Sequence, residues 1–395
     1  MSPGDSDPEA HKATMTDTSS SPSSPSSRSG PSGPSGHAEP GHAKGPGPSA
    51  HPDQPARPET TRPPLSLLDL APIADGARAS DALRNSVALA QEAEGLGYVR
   101  HWFAEHHGMP SIASSSPEVL IAHVAAHTKH IRVGSGGIML PNHVPLRVAE
   151  AFHTLEALHP GRIDLGIGRA PGADPRAAAA MRPFDAEGFA DHLAELLGLS
   201  RGTLPEQHPF RGVRVVPDDV ALPPVWLLGS SGASARYAGS HGLGYGFARH
   251  FSPAPAAPPM LAYREAFQPS PEFPAPHAIL AVSVICAESA DEAEFLAGSL
   301  DLMWVRFRRS EFAPIPSPEE AAAYRYNAVE QSIARENRAR LFVGTATSVV
   351  QELDALVAET HADEVMVTTM SHGHDARLRS YRLLMEAWGR ADRPA

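Results

Sequence analysis

The chain has 395 residues, enough for one large domain or two ordinary ones. Lysine and arginine together number 33 against 45 aspartates and glutamates, a net charge of −12. That balance argues against a nucleic acid or an anionic membrane as partner of the whole protein. Cys286 is the single cysteine, so no intramolecular disulfide forms and no oxidising compartment is implied. No apolar run reaches the roughly 18–20 residues of a membrane helix, and no secretory signal opens the chain. A soluble, cytoplasmic protein is expected.

Residues 1–62 are rich in Ser, Pro, Gly and His with almost no large apolar side chain. Such a stretch buries too little surface to offset chain entropy and reads as a disordered tail. From residue 63 to about 390 strands and helices alternate, a single domain. Leu65-Ser-Leu-Leu-Asp-Leu-Ala71 is a buried strand by length and flanks. A helix from about Asp81 to Leu96, with Ser80 or Asp81 as its N-cap, ends at Gly97, and Tyr98–Phe103 is the second strand. Pro117 opens a helix to Thr128, ahead of a third strand over Ile131–Leu140 that contains Gly134-Ser-Gly-Gly137. A helix over 146–158 and a fourth strand over Arg162–Ile167 follow.

A helix over 187–199 and a proline-rich excursion over 200–223 lead to a fifth strand at Val225–Leu228. Then come a helix from Ser231 to Ser240, a strand over Leu243–Ala248, a helix near 258–268 and a strand over 277–286. A helix over 289–309, an extra stretch over 310–340 and a helix over 346–360 precede the eighth strand, Glu364–Thr369, and a last helix over 374–388. Eight strands in alternation with helices fit an α/β (β/α)8 TIM barrel with insertions at 200–223 and 310–340. An open doubly wound sheet is the runner-up. Its dinucleotide fingerprint is missing from the first strand–helix turn, Ala71-Pro-Ile-Ala-Asp-Gly76.

Active sites of such barrels lie at strand C-termini. After the second strand comes Ala104-Glu-His-His-Gly108. Neighbouring side chains of an extended segment point opposite ways and no third ligand is well spaced, so no metal site is expected. A histidine acting as base or as substrate hydrogen-bond partner suits the segment better. Gly134–Gly137 permits either a bulge or the close approach of a flat ring. After the fourth strand, Gly168 and Arg169 place a cation on a loop. After the fifth, Gly229-Ser-Ser-Gly-Ala-Ser234 opens a helix whose free N–H groups, with the Ser230, Ser231 and Ser234 hydroxyls, suit a phosphate or simply cap the helix. Arg169 at the same barrel mouth favours the phosphate.

Glu105-His106-His107, Val133-Gly-Ser-Gly-Gly-Ile-Met-Leu-Pro-Asn-His143, Gly161-Arg-Ile-Asp-Leu-Gly-Ile-Gly-Arg169-Ala-Pro-Gly172 and Trp226-Leu-Leu-Gly-Ser-Ser231 occur in this order. Together they resemble the bacterial luciferase-like flavin monooxygenases, more narrowly the single-chain group 1 oxidoreductases, over about Leu65 to Trp388. The resemblance implies a barrel that binds reduced FMN (FMNH2), usually delivered by a separate flavin reductase, and oxidises a small organic substrate with O2 through a C4a-(hydro)peroxyflavin. It implies that Arg169, Ser231 and Ser234, with Gly229 and Ser230 beside them, hold the FMN phosphate. It also implies a non-prolyl cis peptide at Gly136–Gly137 beneath the flavin ring, and acid–base work by His106. His107, Glu105 and His250 are further choices for that work. Gly168 stands where luciferases carry a reactive cysteine and would leave space beside the flavin. The 310–340 stretch corresponds to a mobile lid, and a homodimer is expected. The alternatives are an F420-dependent oxidoreductase on the same fold and a flavin-binding protein without turnover.

Overall fold

A computed structural model of the chain describes residues 62–170, 172–181 and 187–389. Among the described residues are nine strands, all in parallel pairing. They are β1 Leu65–Asp69, β2 Arg100–Phe103, β3 Arg132–Met139, β4 Ile163–Gly168, β5 Val225–Gly229, β6 Gly244–Ala248, β7 Ala278–Ala287, β8 Leu341–Thr345 and β9 Glu364–Thr368. β1 to β7 pair in sequence, β9 pairs with both β7 and β1, and the ring closes on eight strands. This is the expected TIM barrel.

The helices are α1 Ala79–Leu96, α2 Pro117–His127, α3 Pro145–Leu158, α4 Pro175–Ala180, α5 Phe189–Arg201, α6 Gly232–Ser240, α7 Ala257–Ala266, α8 Ala290–Arg308, α9 Pro318–Ala323, α10 Ala328–Arg338, α11 Ala346–Thr360 and α12 His374–Gly389. Gly97 closes α1 in the left-handed conformation, φ +94°, its N–H bonding the Ala93 and Glu94 carbonyls. None of the described helices is long and apolar enough to cross a membrane.

Alternation along the strands sends Leu68, Trp102, Trp226, Ile279 and Met366 into the barrel interior. The two indoles meet edge to face, with ring centroids 5.5 Å apart. Glycines across from them supply the room: a Cβ on Gly134 would stand 2.7 Å from Trp102 Nε1, and one on Gly244 would collide with the Trp226 ring. One layer below, at the N-terminal ends of the strands, the barrel is plugged by charge. Arg100 donates to Asp164 at 2.7 Å and to Glu364 at 2.6 Å, and all three are buried. Arg132 and the Trp102 indole N–H also donate to Asp164. Burial opposes the charge on both carboxylates, but Arg100 outweighs it and holds each below the usual carboxylate range.

Several boundaries differ from the sequence reading. α1 starts at Ala79 with Arg78 at its N-cap, and Asp81, expected as a cap, sits in the first turn bound to Arg78 and Arg84. β8 was not expected. It pairs with the outer half of β7, Ser283–Ala287, beyond the part that closes the barrel, so the count of eight barrel strands concealed it. The 310–340 stretch, expected as a mobile lid, carries α9 and α10 and is anchored at Ile315. That residue is fully buried, and its backbone bonds Ile73 and Asp75. The expected disordered tail lies outside the described residues except for Arg62. That residue is tied to the fold, pairing with Asp354 at 2.7 Å and lying over the Trp388 ring.

Replacing Arg100 with Leu strands two buried carboxylates, and we expect it to cost about 3–5 kcal/mol. Urea unfolding of the variant against the wild-type chain measures this; an unchanged midpoint would contradict the plug.

Candidate active site

The expected site residues leave the C-terminal ends of adjacent strands. His106 and its neighbours follow β2, Gly136 and Gly137 lie in β3, Arg169 follows β4, and Gly229 ends β5 with Ser230, Ser231 and Ser234 after it. β2 to β5 are consecutive in the ring, so one arc of the mouth gathers them all.

On β3 the Gly136–Gly137 peptide is cis, and the register against β4 shifts between Ser135 and Ile138. A Cβ on Gly136 would stand 2.6 Å from Leu68 Cδ1, and one on Gly137 would stand 2.7 Å from both the Gly166 carbonyl and Leu228 Cδ1. These two positions admit backbone only. Of the two sequence readings, bulge and close approach of a ring, the structure contains the first.

Glu105 is fully buried and organises the β2 exit. Its Oε1 accepts from His107 Nε2 and from His143 Nε2, both at 2.8 Å, and its Oε2 accepts from the Met139 N–H at 2.8 Å. Burial pushes the carboxyl up, but the hydrogen bonds from His107, His143 and Met139 outweigh it and bring it down to about 2. The carboxylate is thus charged and fully engaged. Among the described residues, no group of three or more His, Cys, Asp or Glu side chains is arranged to hold a metal ion.

His106 differs from His107. Its Nδ1 is buried without a hydrogen-bond partner. Burial brings its imidazole down to about 4, with His107 lowering it further and Glu105 pulling the other way. His250, after β6, repeats the pattern: Nδ1 is buried and unpartnered, and burial holds the ring at about 4. Both rings are neutral near pH 7 and can accept or donate one proton.

At the β4 and β5 exits the polar groups are lightly engaged, the Ser231 hydroxyl meeting the Ser234 hydroxyl at 3.5 Å. Arg169 is exposed, with no hydrogen bond or ion pair among the described residues. Ser231 occupies the N-cap of α6, yet its hydroxyl makes no capping bond. Ser234 donates to the Ser231 carbonyl at 2.9 Å and lies against Gly229, where a Cβ would strike its hydroxyl. Ser230 is half-buried beside them. Beside Gly168, where space was expected, a Cβ would stand 3.0 Å from Sδ of the flexible Met139 side chain.

Three residues went unassigned in the sequence reading. His143 belongs to a quoted motif, but only the fold brings it back to Glu105, 38 positions away. Met139 sits at the end of a strand whose glycines drew the attention. Arg236 folds back over the start of α6, its Nη1 3.5 Å from where a Gly232 Cβ would be. The i, i+4 spacing in the sequence could have signalled it.

The luciferase-like monooxygenase family matches residues 64–364 of the chain. A luciferase-like monooxygenase of Escherichia coli (strain K12) is 42% identical over 324 residues, covering 81% of this chain and 96% of the relative. The N-acetyl-S-alkylcysteine monooxygenase of Bacillus subtilis (strain 168) is 35% identical over 329 residues, covering 82% and 97%. Among solved structures, apo-MsnO8 is similar with a TM-score of 0.74 and 37% identity, covering 82% of this chain and 97% of that one.

Two outcomes follow from the geometry. A methyl group on Gly137 has no room, so Gly137→Ala should cost about 1–3 kcal/mol, read by thermal or urea unfolding. For pH, His106 and His250 titrate near 4 when folded, below the ordinary value of about 6.5. The unfolded chain therefore binds protons first, and stability complete above about pH 6.5 is lost as pH falls toward 4. Urea midpoints measured from pH 7 to 4 should fall over that range, with a shallower slope in His106→Gln; equal slopes would contradict the assignment.

Proposed function

The chain belongs to the luciferase-like monooxygenase family, and from that premise we propose that it is a flavin-dependent monooxygenase using reduced FMN and O2 on a small organic substrate. The observation that carries the reading is the set of unspent donors at neighbouring strand exits. Arg169 has no partner among the described residues, and the Ser231 hydroxyl does not cap its own helix. A cation at the β4 exit and a helix start at the adjacent β5 exit both favour an anion.

The residues fit the cofactor. Arg169, Ser231, Ser234 and the N–H groups at the start of α6 would hold the phosphate, with Gly229 and Ser230 shaping the turn and Arg236 adding charge. The bare backbone at Gly136 and Gly137 would receive a flat ring. Bound reduced flavin supplies the activation of O2 and the transfer of an oxygen atom.

The chain's own residues bind, orient and move a proton. Glu105 acts by position, locking His107, His143 and the Met139 N–H into one array. His106, neutral and with a free Nδ1, is the acid–base group. A cysteine's part is absent at Gly168, where the Met139 thioether fills the space. The segment docked through Ile315 helps exclude water. A separate reductase delivering the flavin, a homodimer and a cytoplasmic setting complete the reading.

Binding and turnover with FMNH2 and O2, compared with reduced F420, test the proposal. N-acetyl-S-alkylcysteines, the class in the Bacillus relative's name, are a rational first panel. Activity only with F420 overturns the FMN assignment. Tight flavin binding with no substrate-dependent O2 uptake favours a non-catalytic protein instead. Arg169→Ala should weaken FMN binding by about 1.5–3 kcal/mol, and His106→Ala should slow turnover at nearly constant FMN affinity.

A further inference from the structure

The C-terminal half of α2 carries two histidines one turn apart, His123 and His127. Residues four positions apart share one face of a helix. Here the two rings lie against each other, with centroids 4.4 Å apart and planes 54° from one another. Both side chains are exposed, while Leu120, Ile121 and Val124 of the same helix are buried, so the rings add nothing to the core. Nor do they belong to the candidate active site. α2 joins the end of β2 to the start of the parallel β3, which puts its last turn at the N-terminal end of the barrel, away from the mouth.

His127 Nδ1 stands 2.7 Å from the His123 carbonyl. A carbonyl only accepts, so Nδ1 carries the proton and the lone pair of the neutral ring is at Nε2. Metal-bound histidines almost always spend their second ring nitrogen in this manner, which fixes the tautomer and the ring orientation. The His123 ring makes no hydrogen bond among the described residues, so its nitrogens are available to the same ligand. The surroundings suit a cation. α2 ends at His127, and its last carbonyls form the negative end of the helix dipole. Glu94 of α1 stands at that end, its Oε1 accepting the N–H groups of Lys129, His130 and Ile131.

We propose that His123 and His127 form a surface chelate for a divalent transition metal, Zn2+, Ni2+ or Cu2+, with water in the remaining positions. Imidazole nitrogens suit these ions, whereas Mg2+ and Ca2+ take oxygen ligands. No group of three or more His, Cys, Asp or Glu ligands is present among the described residues, so the pair binds alone and the metal exchanges with solvent. Closed structural sites hold their metal with four protein ligands; this one lacks them and is not a folding requirement. The site is independent of the monooxygenase reading, since neither flavin nor substrate reaches the end of α2.

The test uses the full chain with isotope-labelled histidine, without flavin, titrated with zinc chloride or magnesium chloride. Zn2+ should shift the ring-nitrogen resonances of His123 and His127 together, along one binding curve, and Mg2+ should shift neither. Because each resonance is read separately, zinc taken up by other histidines of the chain does not confuse the result. His123→Gln should weaken the zinc response of His127 about tenfold, and His127→Gln should do the same to His123. His130→Gln, which alters a histidine just past the helix end, should leave both within about twofold. Resonances of His123 and His127 that ignore zinc overturn the proposal, as does a His127 response unchanged in His123→Gln. An equal loss in His130→Gln would overturn the pair as the ligand set. Both positions are exposed, so glutamine should leave the fold intact; if a variant does not fold, the wild-type shifts and His130→Gln decide the matter.

Discussion

The Glu105 carboxylate holds together the end of the barrel where the candidate chemistry lies. It is buried, and a buried anion persists only if its lone pairs are filled. His107, His143 and the Met139 backbone fill them, which ties the β2 exit to the end of β3 and to the turn that follows. Met139 in turn packs against Gly168 at the end of β4. Through that one group, three successive strand ends keep a fixed relation, and the bare Gly136–Gly137 backbone lies between them.

The two ends of the barrel solve opposite electrostatic problems. At the N-terminal end, Arg100 and Arg132 pair with Asp164 and Glu364, and the charges cancel locally. At the C-terminal end, His106 and His250 are uncharged with unpaired atoms, while Arg169 and the Ser231 hydroxyl are available to a ligand. Groups committed to each other stabilise; groups left uncommitted recognise. That division matches the general placement of stability and function in barrels of this kind. It also separates the two roles of Trp102, whose ring fills the interior and whose N–H joins the plug.

Much of this was legible in the sequence. Strand and helix alternation specified the barrel, because short apolar runs between glycines and prolines have few other arrangements. Arg169, the serines of 230–234 and the glycines of β3 were visible because each departs from what its element needs. β8 was not legible: five residues added to the overhang of an already complete barrel strand carry no period of their own. Nor was Arg62, which lies at the edge of a low-complexity tail yet pairs with Asp354, 292 positions away.

The sequence by itself determined the eight barrel strands, their order and the residue types at each strand end, since local pattern and chain connectivity decide those. Tertiary structure alone decided which groups are spent and which are free. Glu105 and His106 are adjacent and look like equal candidates in the chain. Only folding gives one a full set of hydrogen bonds and leaves the other with none at Nδ1.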